Sequence, residues 1–219
     1  FARRDVTVAL TGDGGDELFG GYNRHVMVPR IWGHLRKVPK SLRSLAAVPF
    51  GRISPEIWAK LFRSKSPFMG ARIQRGISIA GFASSSDDIY LSFLDEWTTD
   101  TNPVASEEVD SCSFDLNVGA NSPDEIRMMY CDAISYLPDD ILCKVDRASM
   151  AVSLETRVPF LRHRVAAVAS PIATGLKFKQ AHGKYTLRQL LYREAPRSLF
   201  ERPKAGFAVP VGDWIRGPL

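Results

Sequence analysis

The residues best equipped for chemistry are three carboxylates near the start of the chain, Asp13, Asp16 and Glu17, set among Gly12, Gly14 and Gly15 in the stretch TGDGGDELFGGY. Carboxylates this close repel one another, and glycines give up local stability for backbone freedom, so a bound cation is the natural compensation. Mg²⁺ suits such a loop because it takes one or two carboxylates and completes its shell with water and substrate phosphates. Nucleotide chemistry is therefore the leading reading. The competing one is a solvated strand-to-helix turn whose acidic residues complement the helix dipole, and residue types alone leave both open.

Common motifs do not account for the loop. With Asp13 as the first position of an EF-hand, Leu18 falls where the glycine belongs and Arg24 where the bidentate Glu belongs. Glu17 stands where a dinucleotide fingerprint needs its third glycine, and no Walker A sequence, HExxH pair or GxSxG elbow occurs in the chain.

Holding this loop requires a strand before it and a helix after it. Val6 to Leu10, VTVAL, has the length and β-branched content of a strand buried on both faces of a parallel sheet, and the loop follows its carboxyl end, where open α/β sheets place ligands. A helix is expected to include Asp16 to Phe19, with Gly20-Gly21 weakening or bending it. No partner strand is visible downstream. Residues 30 to 83 read as short helices broken by Pro29, Pro39, Pro49, Pro55 and Pro67, one of them starting at Ser54-Pro55-Glu56. Ser84 to Asp88 supplies cap residues for a helix carrying Ile89, Phe93 and Trp97, and residues 98 to 121 read as a loop.

Ser122-Pro123-Asp124-Glu125 has the pattern of a capping box with proline at the first helical position. The helix it opens places Ile126, Met129, Tyr130, Ala133, Ile134 and Leu137 on its apolar face and is expected to stop at Pro138. Asp139-Asp140 then begin a second helix, ILCKVDRASMAVS, whose Lys144, Asp146 and Arg147 are left to solvent or to a site. Glu155 and Arg157, flanked by apolar residues, are expected to pair partly buried. A further helix spans Tyr185 to Ala195, and Arg202-Pro203-Lys204 forms a turn presenting two cations.

Composition bounds the class. The 219 residues are 45% hydrophobic and 24% charged, ordinary for a globular protein. Lys plus Arg number 29 against 24 acidic residues, a net charge of +5 without a basic block, so nucleic acid is not indicated. Cys112, Cys131 and Cys143 are odd in number and lack CxxC spacing, which supports neither a disulfide framework nor a zinc site; they read as reduced cysteines of a cytoplasmic protein. No run reaches the length of a membrane span, and there is no signal peptide. A chain that opens on Phe1 and closes on Gly217-Pro218-Leu219 reads as a piece of a longer protein.

Four ordered blocks, TGDGGDELFGGY, LPDDILCKVDRASMAVSLETRVPFL, GKYTLRQLL and RPKAGFAVPVGDWIRGPL, resemble the second half of the synthetase domain of glutamine-hydrolysing asparagine synthetases. The resemblance covers both ends and the centre, while residues 30 to 120 add little to it. It implies an α/β fold of the adenine-nucleotide alpha-hydrolase-like, ATP-pyrophosphatase type, here mostly helical with one strand of the parallel sheet at its start. The other strands would precede Phe1, leaving a sticky edge.

By the same resemblance, Mg-ATP adenylylates aspartate and ammonia released from glutamine captures the acyl-adenylate. Residues 1–219 would be the carboxy-terminal part of that domain. The upstream glutaminase domain and the Ser-Gly-Gly-X-Asp-Ser pyrophosphate loop are absent from this sequence, so this piece alone is expected to be inactive or nearly so. Thr11 and Gly12 match nucleotide-contacting positions, and Asp16 matches a Mg²⁺ ligand. Asp13 matches an acidic position, often Glu in relatives, that assists intermediate formation and deprotonates the attacking ammonia. Arg147 matches a position, often Lys, that stabilises charge on the transferred or leaving phosphate. Arg162 stands where relatives usually carry Asp. The alternatives are amidation of another carboxylate, such as a sugar uronic acid, or a non-catalytic truncated module; homo-oligomerisation is left open.

Overall fold

The computed structural model describes residues 1–62, 69–94, 121–180, 182–201 and 211–217. They divide into two compact units, Phe1–Tyr185 and Thr186–Leu219.

The first unit begins with a 3-10 turn, Ala2–Arg4, and strand β1, Val8–Leu10. Helix α1, Gly15–Phe19, follows the acidic loop and leads into α2, Asn23–Leu35. Then come α3, Lys40–Gly51, α4, Pro55–Leu61, α5, Met69–Phe82, and α6, Ser86–Leu94. Helix α7, Asp124–Ile134, runs into a π-helical turn, Leu137–Leu142, and on into α8, Cys143–Met150. Strand β2, Glu155–Arg157, is followed by a 3-10 turn, Pro159–Leu161, and by α9, His163–Ala169, and α10, Thr174–Lys177.

The strand at the start does have a partner. β1 pairs in parallel with β2, Val8 opposite Glu155, Ala9 opposite Thr156 and Leu10 opposite Arg157. The downstream strand escaped notice because its Glu-Thr-Arg sequence lacks the apolar run that marks a buried strand. Nor is β1 buried on both faces: Val8 and Leu10, which share one face, are 37% and 73% exposed, while Ala9 on the other is half-buried. Glu155 and Arg157 do pair, Nε donating to Oε1 at 2.7 Å, but both are exposed because residues two apart share the open face of the strand.

The core lies among α2, α6 and α7, where Val28, Ala83, Ile89, Tyr90, Met128 and Cys131 are buried against Ile31, Trp32 and Leu35. Helix α6 is capped reciprocally: Ser85 Oγ accepts from the Asp88 amide at 3.2 Å, and Asp88 Oδ2 accepts from the amides of Ser84 and Ser85. Of the residues expected on α6, Ile89 is buried and Phe93 exposed, and Trp97 lies outside the described residues. Arg43, buried on α3, donates to the carbonyls of Ala80 and Ala83 at the end of α5, where a cation meets the orphan carbonyls of a helix terminus.

Several helix boundaries differ from the proline pattern. Pro29 and Pro49 lie inside α2 and α3. Pro138 sits in the π turn, whose wider ladder tolerates a residue without an N–H, so α7 and α8 are joined rather than separated. The cap of α7 is Pro123, with no side-chain hydrogen bond from Ser122. Its buried face is also rotated from the expected one: Met128, Met129, Cys131 and Asp132 are buried, while Tyr130 and Ile134 are exposed.

The second unit holds most of α11, Tyr185–Glu194, a 3-10 turn, Arg197–Leu199, and α12, Val211–Arg216. Tyr192 ties it locally, donating to Glu201 Oε1 at 2.8 Å with the Arg197 guanidinium over its ring.

Candidate active site

The acidic loop begins where β1 ends. The Thr11 amide donates to the Arg157 carbonyl at 2.9 Å, extending the ladder by one residue, and the chain then turns through Gly12 and Asp13. Gly14, at φ +80°, caps α1 in the left-handed region that glycine occupies at no steric cost. A Cβ there would also lie 2.6 Å from Leu161 Cδ2. Helix α1 ends at Gly20, again left-handed at φ +72°, and the Gly21 amide donates to the Asp16 carbonyl at 2.8 Å. This tight helix with a glycine at each end fixes the direction of Asp16.

A second segment meets it. Lys184 donates its backbone amide to the Phe19 carbonyl at 3.1 Å, and its Nζ lies 2.9 Å from Asp16 Oδ2, each side chain about one-third exposed. The ammonium and the carboxylate form a charged pair at the rim of the loop, reachable from solvent. On the inner side, Thr11 Oγ1 and Asp13 Oδ2 are buried without a hydrogen-bond partner among the described residues. Two such atoms beside one glycine are unfavourable in isolation.

Helix α8 carries Lys144. Its Nζ donates to Asp140 Oδ2 at 3.0 Å, and its proton affinity is raised by that hydrogen bond first and, more weakly, by the charge of Asp13. Arg147 stands exposed on the same helix, and no ion pair joins it to Asp13 or Asp16 among the described residues. Thr11, Gly12, Asp13 and Asp16 are thus brought together by one turn of chain, and Arg147 is not tied to them. Arg162 is exposed at the start of α9. The Arg202 and Lys204 turn lies outside the described residues.

Behind the loop is a buried polar network. Glu17, 2% exposed, accepts from Tyr22 Oη at 2.6 Å, while its Oε2 has no partner among the described residues; burial raises its pKa, outweighing the lowering by Tyr22. The Arg24 guanidinium lies over the Tyr22 ring, 4.2 Å from its centroid, and forks onto Asp132 at 3.0 and 2.9 Å. Asp132, fully buried, also meets His25 Nε2 at 2.6 Å and accepts from Tyr90 Oη at 2.7 Å. Burial by itself would raise the Asp132 pKa; the hydrogen bonds from His25 and Arg24 outweigh it and hold the carboxyl below its ordinary value.

Sequence reasoning missed Lys184 and Asp132. Gly183-Lys184 was visible only as the start of a helical block, and nothing in the periodicity of α7 distinguishes a buried Asp from a solvated one.

The donor set can be tested against Mg²⁺. Among the described residues no group of three or more His, Cys, Asp or Glu is placed to hold a metal ion. Asp16 offers one carboxylate, and Mg²⁺ bound chiefly by phosphate and water needs one or two. The residues therefore fit a phosphate-bound ion and not a protein-caged one.

A parallel strand pair with an acidic loop at its carboxyl end, set among helices, is part of a mostly helical α/β domain of the ATP-pyrophosphatase fold. The chain belongs to the asparagine synthase family, whose profile, described as Asparagine synthase, matches residues 1–219. It is 33% identical to a protein of Mycobacterium tuberculosis H37Rv named putative asparagine synthetase (glutamine-hydrolyzing), over 98% of this chain and 31% of that one. It is 30% identical to asparagine synthetase (glutamine-hydrolyzing) 1 of Bacillus subtilis, over 100% of this chain and 33% of that one. A putative asparagine synthetase of Methanocaldococcus jannaschii is 33% identical over 73% of this chain. The chain spans about a third of the length of the first two relatives. No solved structure matches it. Among the described residues no helix is long and apolar enough to cross a membrane.

Proposed function

We propose that the protein to which these residues belong is an ATP-dependent amidotransferase that makes asparagine from aspartate, and that this chain supplies one side of its synthetase site. The aspartate side-chain carboxylate attacks the α-phosphorus of ATP and pyrophosphate leaves; ammonia then attacks the acyl carbon and AMP leaves. The observation that carries this reading is the pairing of Asp16 with Lys184 beside the partnerless Thr11 Oγ1 and Asp13 Oδ2.

In this reading Thr11 and Gly12 contact the nucleotide at the carboxyl end of β1. Lys184 faces phosphate oxygens and offsets the charge of the departing pyrophosphate. Asp16 is the residue that would hold Mg²⁺, which when bound neutralises phosphate charge. Asp13 takes the proton that ammonia loses on attack, its buried Oδ2 being free of competing donors. Arg147 and Lys144 supply positive charge from α8. The glutaminase domain and the pyrophosphate loop are assigned to the remaining two thirds of a protein the length of the relatives, so residues 1–219 alone form half a site.

Release of AMP and pyrophosphate from Mg-ATP by the whole protein tests this. Turnover with aspartate and either ammonia or glutamine is expected, with none from the 219 residues alone. AMP release that depends on another carboxylate and not on aspartate would overturn the substrate, and no AMP release with any carboxylate would overturn the reaction.

A further inference from the structure

Helix α3 packs by one side and leaves the other bare. Its inner side is set by Arg43 and Ala47, both buried. Arg43 donates to the Ala80 carbonyl at 2.6 Å, and a Cβ on Gly81 of α5 would lie 2.3 Å from Ala47 Cβ. The opposite side, at helical spacing, carries Leu42, Leu45, Val48 and Pro49, with Leu42 57%, Leu45 72% and Val48 46% exposed. No charged or amide side chain interrupts it. The apolar surface continues onto α4: the buried Trp58 ring lies 6.2 Å from the rings of both Phe50 and Phe62, and those two are exposed. Apolar side chains gathered this way on a surface mark an interaction site.

Charge narrows the partner. Residues 36–75 hold ten Lys and Arg against one acidic residue, Glu56, whereas the whole chain holds 29 against 24. Arg36 and Lys37 stand just before α3 and Arg52 just after it, all three exposed and in no ion pair with a described residue. The partner is therefore anionic. The strip offers the bases of a nucleic acid no hydrogen-bonding side chain to read them with. Its cations sit at its ends rather than among its apolar residues, so it matches an apolar layer beneath a negatively charged one, as an interfacial helix does.

We propose that α3 and the Phe50–Trp58–Phe62 cluster dock on an anionic lipid bilayer. Leu42, Leu45 and Val48 enter the boundary between headgroups and acyl chains, while Arg36, Lys37 and Arg52 meet lipid phosphates. At 12 residues α3 lies on the membrane and does not cross it. This surface shares no residue with the acidic loop, and its role does not rest on the amidotransferase reading.

The test is co-sedimentation of the whole protein with vesicles of phosphatidylcholine, with and without about one-third phosphatidylglycerol, at low and high salt. Binding is expected to the anionic vesicles at low salt, at least about tenfold weaker at high salt or with phosphatidylcholine alone. Arg36→Gln combined with Lys37→Gln should weaken binding about thirtyfold, and Leu42→Ser combined with Leu45→Ser about tenfold or more. All four side chains are exposed, so both double variants should keep the wild-type melting temperature. No sedimentation with the anionic vesicles, meaning that another protein or another part of the same one covers the face, would overturn the proposal. So would equal binding to phosphatidylcholine alone, or wild-type binding by either double variant.

Discussion

Lys184 touches α1 twice: its backbone amide donates to the Phe19 carbonyl at 3.1 Å, and its ammonium lies 2.9 Å from Asp16 Oδ2. The first contact sets where the residue stands and the second sets what it faces. Lys184 itself is left-handed, at φ +57°, a conformation held by the turn that brings Gly183 against the carbonyl of Gly20. The acidic loop and the cation thus form one unit although they are far apart in the chain.

That unit has no room at two glycines, and the two should fail differently. A Cβ on Gly21 would collide with Asp16 Oδ1 and Lys184 Cε, the mobile ends of side chains. A Cβ on Gly183 would collide with the backbone oxygen of Gly20. Gly21→Ala is expected to lower AMP formation at least tenfold with little change in melting temperature, while Gly183→Ala destabilises by about 1–3 kcal/mol as backbone must move. Parallel activity and thermal-unfolding measurements check this; full activity in Gly21→Ala would contradict the packing of the pair.

Asp132 carries the interior of the same unit. Removing the carboxylate leaves Arg24 and Tyr90 without their acceptor, so Asp132→Ala is expected to cost about 3–5 kcal/mol, roughly 6–20 °C in a chain of this size. Its pKa is lowered on folding, so its stabilisation is complete above the unfolded carboxylate value of about 3.9 and is lost as pH falls through the lower folded value. Denaturation between neutral pH and acid should show a falling acid limb that Asp132→Asn flattens.

Glu17 has the opposite sign. Its folded pKa is raised, first by burial, so the folded state binds a proton that the unfolded state has released. Its contribution is most favourable below about pH 4.3 and is lost as pH climbs through the raised folded value. Glu17→Gln keeps an acceptor for Tyr22 Oη and removes the buried charge. It should equal or exceed wild-type stability at neutral pH and lose that advantage in acid. A variant weaker at neutral pH than in acid would contradict the assignment.

The elements with strong local signals were legible in the sequence. Residues 6 to 22 announce a strand, an acidic loop and a glycine-ended helix, and the structure has them in that order. Ser84 to Asp88 announces a capped helix and makes the cap. What stayed hidden depends on tertiary partners. β2 is charged and short, so only its pairing with β1 makes it a strand. Pro138 reads as a break, yet a π turn absorbs it. At the site, carboxylates and glycines cluster in sequence and could be read, whereas Lys184 joins them only through the fold. Asp132 hides on an amphipathic helix because nothing local separates a buried aspartate satisfied by Arg24, His25 and Tyr90 from a solvated one.

The most direct test of the account is AMP formation from Mg-ATP and aspartate by the whole protein, comparing Lys184→Met and Lys184→Arg with wild type. The partly exposed Asp16 pair contributes little to folding, about 1 kcal/mol or less, so the variants should unfold within a few degrees of wild type. Lys184→Met is expected to lose AMP formation by about a hundredfold or more, the loss of one charge-stabilising group in such a site, with Lys184→Arg retaining part of it. Wild-type rates in Lys184→Met would contradict the claim that Asp16 and Lys184 form the phosphate-facing edge of the site.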